Sequence, residues 1–506
     1  MKKSNSILGT AVIISCITVL CKILGFGREA IIAAYYGATA ETDAFFFANS
    51  TPSLLFPAVG NSISFALTSL YVKRLTDEGE EGGDLFASRM LTAGSLIGLV
   101  LGLIGMLLTP ALVPLLAPGF AGGQKVLAIR LTRLIMGAFV FNILQYMLCS
   151  VLNSKKHFVG AQVSALFYNL VIIFSTVLFG SQQSMDILML SVIAGMALQV
   201  VMLAVCYGRC AHFTPALNPF HSDTAMLLKL SFPILLGNSV TQIHNIVDKA
   251  LGSLLANGSM SALNYAFTLT SIVTDALIIS LSTVLYPSLT ENAARGDMAA
   301  FSQTMEKSLC GLTAFMVPVS CITIMDSSDI VSAVYARGSF DHTAVSYTAV
   351  ALSCYAPMFI FSAVREILTR GFFAVQNTRT PMINSAIGVA CNVVFSLLLV
   401  RKLGLAGIAL GTAAAAAVIA ALLLAQARKQ LSFPLSPILA ALIRQFLSGG
   451  ILAVGLLLFR RYTVISLPLL RFAADTVMGF LLYGTVLTLL GGRELRDILD
   501  VLKERR

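Results

Sequence analysis

Residues 7–33 read ILGTAVIISCITVLCKILGFGREAIIA. The stretch is long enough to cross hydrocarbon, since a spanning helix needs about 20 mostly apolar residues. Yet it carries Lys22, Arg28 and Glu29. Ser15, Thr18, Lys22, Gly25 and Glu29 recur at steps of three and four, which places them on one face of a helix, with Arg28 beside it. An ionisable group in hydrocarbon costs about 2.5–3.5 kcal/mol on insertion scales. This face therefore turns toward a bundle interior or a watery cavity. Met1-Lys2-Lys3 before an apolar run resembles a signal peptide, but the run continues without a small-x-small cleavage site. It is read as a retained first transmembrane helix.

The rest of the chain repeats this pattern. Of 506 residues, 57% are hydrophobic and 11% charged, with a mean hydropathy of +0.86. Soluble domains carry about 25% charged residues, so a soluble enzyme, a disulfide scaffold and a disordered chain are excluded. Apolar stretches at 7–33, 42–72, 86–115, 127–152, 158–180, 186–208 and 226–255 are followed by 260–290, 303–335, 344–374, 381–401, 404–427, 436–459 and 466–490. That is an all-α polytopic membrane protein of about fourteen transmembrane helices. The formal charge of +10 points to lipid headgroups rather than nucleic acid, because basic residues collect in cytoplasmic loops. Lys73, Arg74, Lys155, Lys156, Arg209, Arg295, Arg379, Arg428 and Lys429 fall on one side and set both termini in the cytoplasm; Arg401–Lys402 and Arg460–Arg461 are exceptions. Residues 492–506 alternate charge with Leu and Ile, as in an amphipathic helix on the inner surface.

Residues near 25–75 match residues near 246–294 at an offset of about 220. Arg28 pairs with Lys249, Gly37 with Gly258, Asp43 with Asn264 and Phe46 with Phe267; Gly119 pairs with Gly338, and Asn169 with Asn392. An even number of spans separates the copies, so the repeat is parallel, as in alternating-access transporters. It gives two six-helix lobes, 1–217 and 218–431, plus two extra C-terminal helices over 432–490 and a tail over 491–506.

Polar residues recur inside the second copy. Asn238, Gln242, Asn245 and Lys249 form a stripe with Asp248 at its edge. Thr268, Ser271, Asp275 and Ser282 share a face of the eighth span, and Arg365, Glu366 and Arg370 lie in the tenth. Two readings stand: pairs that fix helix packing, or the walls of a hydrophilic cavity whose first-lobe side, with Lys22 and Arg28, suits a phosphate-bearing substrate. Cys206, Cys210 and His212 lack a fourth ligand and a zinc spacing. There is no phosphate loop, nucleophile elbow or His-Glu-x-x-His, so the chain is read as a transporter and not an enzyme.

Leu24-Gly25-Phe26-Gly27-Arg28-Glu29, Tyr36-Gly37-Ala38 and Thr42-Asp43-Ala44-Phe45-Phe46 resemble the opening signature of the MviN/MurJ family. Leu116-Ala117-Pro118-Gly119-Phe120, Val151-Leu152-Asn153-Ser154, Ser261-Ala262-Leu263-Asn264-Tyr265-Ala266, Leu285-Tyr286-Pro287-Ser288-Leu289, Ala336-Arg337-Gly338-Ser339-Phe340-Asp341 and Thr378-Arg379-Thr380-Pro381 extend the likeness over nearly the whole chain. The resemblance implies a fold of the MOP transporter superfamily, with the lobes around a central cavity and spans thirteen and fourteen forming a lipid-tail groove. It implies flipping of lipid II, the undecaprenyl-pyrophosphate-linked peptidoglycan precursor, to the outer leaflet of the bacterial cytoplasmic membrane, and cell-wall synthesis proteins as possible partners. By position, Arg28 matches a substrate-contacting arginine, Lys22 stands where many members have arginine, Glu29 where the family has Asp, and Asp43 matches a signature acid. No cofactor is implied beyond sodium or proton coupling, with Asp248 resembling a sodium-binding acid; Asp275, Asn392 and Thr412 are further candidates.

The departures concern cations. Phe56, Pro57 and Asn61 stand where the family has Leu-Arg-Arg and a Glu, and Thr268 stands in place of an eighth-helix arginine. Each charge-assisted bond lost is worth about 1.5–3 kcal/mol, leaving Lys249, Arg365 and Arg370 to compensate. The alternatives are a flippase for another polyprenyl-linked glycan, a cation-coupled exporter, and a transport-dead scaffold for cell-wall enzymes.

Overall fold

The computed structural model describes residues 2–55, 59–214, 221–240, 242–431, 433–463, 465 and 467–492. The chain runs through α1 (Lys2–Tyr36), α2 (Ala40–Leu55), α3 (Val59–Leu116), α4 (Gly122–Gly137), α5 (Phe139–Ser154), α6 (Phe158–Phe179), α7 (Met185–Gly208), α8 (Ser222–Val240), α9 (Ile243–Ser253) and α10 (Ser259–Val273). A π-helical turn, Thr274–Ile279, leads into α11 (Ser280–Ala294), followed by α12 (Met298–Met325), α13 (Ser327–Tyr335), α14 (His342–Tyr355), α15 (Met358–Ala374), α16 (Arg379–Leu403), α17 (Leu405–Gln430), α18 (Ser436–Tyr462) and α19 (Pro468–Leu489). There is no strand among the described residues. Each stretch marked out from the sequence is helical there apart from short breaks. The expected tail helix falls outside the described residues.

Among the described residues ten helices are long and apolar enough to cross a membrane, or eleven if α14 and α15, bent by 41°, form one span. The count is below about fourteen because length alone does not define a crossing. α3 has 58 residues, about 87 Å at 1.5 Å per residue, far more than a hydrocarbon core of about 30 Å. It turns back at Gly79, where φ is 74°, a left-handed value that glycine adopts without a Cβ clash. Conversely, α9 and α11, with 11 and 15 residues, are pieces of longer expected stretches.

Two compact units divide the chain: Met1–Ser261 with Arg337–Phe340, and Ala262–Ala336 with Asp341–Arg506. The boundary differs from 217/218 because α8 packs on α3, and α9 on α2 and α3. Lobes of a repeat follow topology, whereas these units follow packing.

In the first unit, glycines at 94, 98, 102 and 105 form a stripe on α3. A Cβ at Gly98 would lie 2.8 Å from the Val140 Cα, and one at Gly102 would lie 2.6 Å from the Met136 carbonyl. Small residues at such spacing let helices approach closely where lipid supplies no hydrophobic drive. In the second unit, Phe301, Met305, Leu309, Phe359, Ala363 and Ile367 build the core. Gly404, with φ 56°, turns the chain so that α16 and α17 pack side by side, Gly411 lying against Ser396. Leu107, Leu115, Val454, Val477 and Leu481 are exposed on the outer faces. In a bilayer such side chains meet lipid rather than water.

Candidate substrate and coupling sites

Arg28 is held by α1 and α6. Its Nη2 donates to Glu29 Oε1 at 2.7 Å and its Nη1 to Asn169 Oδ1 at 3.2 Å. The guanidinium lies 5.4 Å from the centroid of the Tyr168 ring, within cation–π range. Asn169 is oriented by its own Nδ2, which donates to the Ala165 carbonyl at 3.1 Å. Glu29 is buried, and its second oxygen, Oε2, finds no partner among the described residues. The Arg28 site is therefore a neutralised ion pair rather than a bare cation, and an anion must share or displace Glu29. Lys22, one and a half turns earlier on α1, is exposed.

Asp43 is placed differently from a substrate contact. Its Oδ2 accepts from the Gly258 N–H at 2.7 Å, while its Oδ1 accepts from the Ser261 N–H at 2.7 Å and the Ser261 hydroxyl at 2.6 Å. The carboxylate thus closes on the first turn of α10, where free N–H groups and the helix dipole favour an anion. This clasp is part of a seam at the end of the first unit where α1 finishes. Ser339 N–H donates to the Ala34 carbonyl at 2.7 Å, Ser339 Oγ to the Tyr35 carbonyl at 2.9 Å, and Gly119 N–H to Ser253 Oγ at 3.1 Å. Gln183 Nε2 reaches Ser339 Oγ at 3.2 Å. Four turns thus interlock through Gly37, Gly119, Gly258 and Gly338, the glycines that pair in the repeat. A Cβ at Gly119 would lie 1.9 Å from the Ser253 carbonyl, so only glycine fits.

Lys249, half-buried on α9, feels the charges of Asp43 and Asp248 and forms no ion pair among the described residues. The side chain of Asn238 and residues Phe56 and Pro57 lie outside the described residues.

The second unit repeats the arginine arrangement. Arg370 Nε donates to Glu366 Oε1 at 2.8 Å, and its guanidinium lies 5.7 Å from the Tyr286 ring centroid. Ser282 Oγ donates to the same Glu366 oxygen at 3.3 Å. Arg365 is half-buried beside Glu366. Thr268 turns its hydroxyl back to the Asn264 carbonyl at 2.9 Å and supplies no cation.

Of the coupling candidates, Asn392 and Thr412 meet: Asn392 Nδ2 donates to Thr412 Oγ1 at 3.1 Å. Asn392 Oδ1 is buried without a partner among the described residues, an oxygen available to a hard cation. Asp275 sits in the π-helical turn of the second unit and Asp248 in the first. Among the described residues no three His, Cys, Asp or Glu side chains gather to hold a metal ion.

Sequence reasoning missed Tyr168, Tyr286, Ser261 and Ser339. The signal for Tyr168 was its neighbour Asn169, which the repeat had singled out. Ser261, Tyr286 and Ser339 stood in stretches that carried the family resemblance, but their roles did not show there; that of Ser261 exists only where Asp43 of α2 meets the start of α10.

The comparisons agree with this architecture. A lipid II flippase MurJ from Burkholderia cenocepacia is 26% identical over 457 residues, covering 88% of each chain. A probable lipid II flippase MurJ from Vibrio cholerae is 24% identical over 98% of each, and one from Buchnera aphidicola is 28% identical over 78% of this chain and 79% of its own. A solved lipid II flippase MurJ in an inward closed conformation superposes with a TM-score of 0.80 at 23% identity, covering 96% of this chain and all of that one. An inward-facing multidrug resistance MATE transporter of the MOP superfamily gives 0.68 at 13% identity, covering 83% of this chain and 98% of its own. The profile of the lipid II flippase MurJ family matches residues 32–473, and this multi-span membrane protein belongs to that family.

Proposed function

We propose that the protein carries lipid II from the inner to the outer leaflet of a bacterial cytoplasmic membrane by alternating access, with both termini in the cytoplasm. The observation that carries this reading is the family match over residues 32–473. On this reading a polyprenyl tail stays in lipid while the sugar–peptide–pyrophosphate headgroup crosses on polar side chains. Arg28 offers the pyrophosphate a planar, oriented set of donors, and Glu29 holds that guanidinium until an anion competes for it. Lys22, Lys249, Arg365 and Arg370 supply the remaining positive charge. The exposed apolar side chains of α18 and α19 suit a lipid tail.

With both termini inside, the seam around Asp43 lies on the outer side. There the clasp ties the turns of the first unit to one another. A sodium ion would find oxygens in Asn392 Oδ1 and Thr412 Oγ1, with Asp248 and Asp275 as further acids; bound there, it would tie α16 to α17. Cell-wall synthesis proteins are the partners this substrate implies.

A flippase for another undecaprenyl-pyrophosphate-linked glycan is the second reading. Thr268 favours it, because its hydroxyl is spent on its own helix at a position where the family resemblance implies an arginine. Depletion rescue in a bacterium lacking its own lipid II flippase decides between them. Growth with the wild type but not with Arg28→Ala, at equal membrane abundance, supports lipid II transport. Failure of well-inserted wild type transfers the assignment to another glycan lipid.

A further inference from the structure

The second unit holds a charged cluster, apart from every residue considered for substrate or coupling, where α12, α13, α18 and α19 meet. Asp326 at the α12–α13 junction and Asp475 on α19 expose no surface. Arg460, in the last turn of α18, reaches both. Its Nε donates to Asp475 Oδ2 at 2.7 Å, its Nη2 to Asp326 Oδ1, and its Nη1 to the Met325 carbonyl at 3.0 Å. The neighbouring charges offset each other: Arg471 of α19 lies 3.4 Å from Asp329 of α13 and donates to the Ile465 carbonyl. α14, which packs on α13, carries the exposed His342 at its start.

Two buried carboxylates against one guanidinium leave an excess negative charge out of reach of water. Like charges in contact in such a setting do not both ionise. The Nε and Nη2 groups of Arg460 that reach them lie on one edge of the guanidinium, so it draws the two carboxyl groups side by side. On each, the oxygen not taken by Arg460, Asp326 Oδ2 and Asp475 Oδ1, is buried and meets no donor among the described residues. One hydrogen between them satisfies both, since a protonated carboxyl donates and an ionised one accepts.

We propose that Asp326 and Asp475 hold one proton between them, so that this junction is a proton-binding site pinning the α18–α19 hairpin to the α12–α13 corner. With the proton the cluster is neutral: two carboxylates, one guanidinium and one proton sum to zero. Release of the proton to a water molecule leaves both carboxylates ionised and one excess negative charge, which drives α19 away from α13. The arrangement also accounts for Arg460 on a side of the membrane where basic residues are scarce, because it is neutralised within the fold.

Infrared difference spectra of the full-length protein in nanodiscs test this directly. The wild type should show the carbonyl stretch of a protonated carboxylic acid at neutral pH, lost on alkaline titration. Asp326→Asn and Asp475→Asn should each lack the band, because the remaining carboxylate pairs with Arg460 and ionises; Asp329→Asn should keep it. The melting temperature gives a second reading. The folded state holds a proton that the unfolded chain releases, so wild-type stability falls as pH rises, whereas Asp475→Asn, which mimics the protonated pair, should be insensitive to alkaline pH. If one variant fails to fold, the other and the wild-type melting profile still decide. No band in the wild type, a band kept in both variants, or a wild-type melting temperature that does not fall with pH overturns the proposal.

Discussion

Replacing Asp43 should loosen the seam by an amount that the geometry sets. The carboxylate accepts three hydrogen bonds of 2.6–2.7 Å from Gly258 and Ser261. In Asp43→Ala the two backbone N–H groups lose their acceptors inside a buried contact, and an unsatisfied buried donor costs about 1–3 kcal/mol. Together they should cost about 2–6 kcal/mol, which is a factor of roughly thirty to tens of thousands in the opening equilibrium. Asp43→Asn keeps one acceptor oxygen but turns an N–H₂ group toward a donor, so it should fall between wild type and alanine. Ser261→Ala removes only the hydroxyl bond, about 1.5–3 kcal/mol for a bond to a charged group, and leaves both amides paired. Hydrogen–deuterium exchange of peptides covering residues 253–262, in protein reconstituted in nanodiscs, reads this order through local opening. Exchange should accelerate least in Ser261→Ala, more in Asp43→Asn and most in Asp43→Ala. Unchanged exchange in Asp43→Ala, with folded protein at wild-type abundance, would refute the assignment of Asp43 as the clasp.

Five further outcomes follow from the same structure. Arg28→Lys should retain insertion but lose most transport, because an ammonium cannot keep both the Asn169 bond and the stacking on Tyr168; Glu29→Gln should strengthen binding of pyrophosphate lipids by removing their competitor, as measured with the purified protein. Gly98→Leu forces side-chain atoms into the Val140 backbone 2.8 Å away and should destabilise the first unit by about 1–3 kcal/mol or more, seen as a lower melting temperature. Asp223→Asn removes a buried charge paired with the half-buried Arg74 at 2.7 Å and with Arg89 at 3.6 Å, so it should cost more than the about 1 kcal/mol of an exposed pair, seen as a lower melting temperature. Asn392→Ala combined with Thr412→Ala should abolish any sodium dependence of transport while preserving insertion, as scored by flipping in vesicles with and without a sodium gradient.

The residues legible in sequence were those whose signal is local. Spans followed from apolar length, and the α1 stripe from steps of three and four. The glycines followed from the repeat, although their purpose did not: Gly119 and Gly338 stand out at matching places because each lets a backbone carbonyl of another turn approach where a Cβ would collide. Asp43 was visible as a signature acid, yet it reads as a substrate contact until Gly258 and Ser261, more than two hundred positions away, are set against it. Arg28 was legible as a cation with Glu29 and Asp43 as its two candidate acids, but the choice of Glu29 was not, since adjacent residues on a helix do not face each other and Asp43 is taken by Gly258 and Ser261. The boundary at 217/218 reflects the repeat; packing instead assigns α8 and α9 to the first unit, because α8 runs against α3 and α9 against α2 and α3.

Composition and periodicity by themselves determined that this chain spans a membrane and lines its first helix with polar groups. These are properties of a helix read one turn at a time, and hydrocarbon enforces them residue by residue. Tertiary structure alone decided which carboxylates are clasps, which arginines are already paired and where two acids crowd one guanidinium. Hydrogen bonds and burial depend on atoms brought together from distant parts of the chain, and the spacing of residues along a sequence carries no record of those distances.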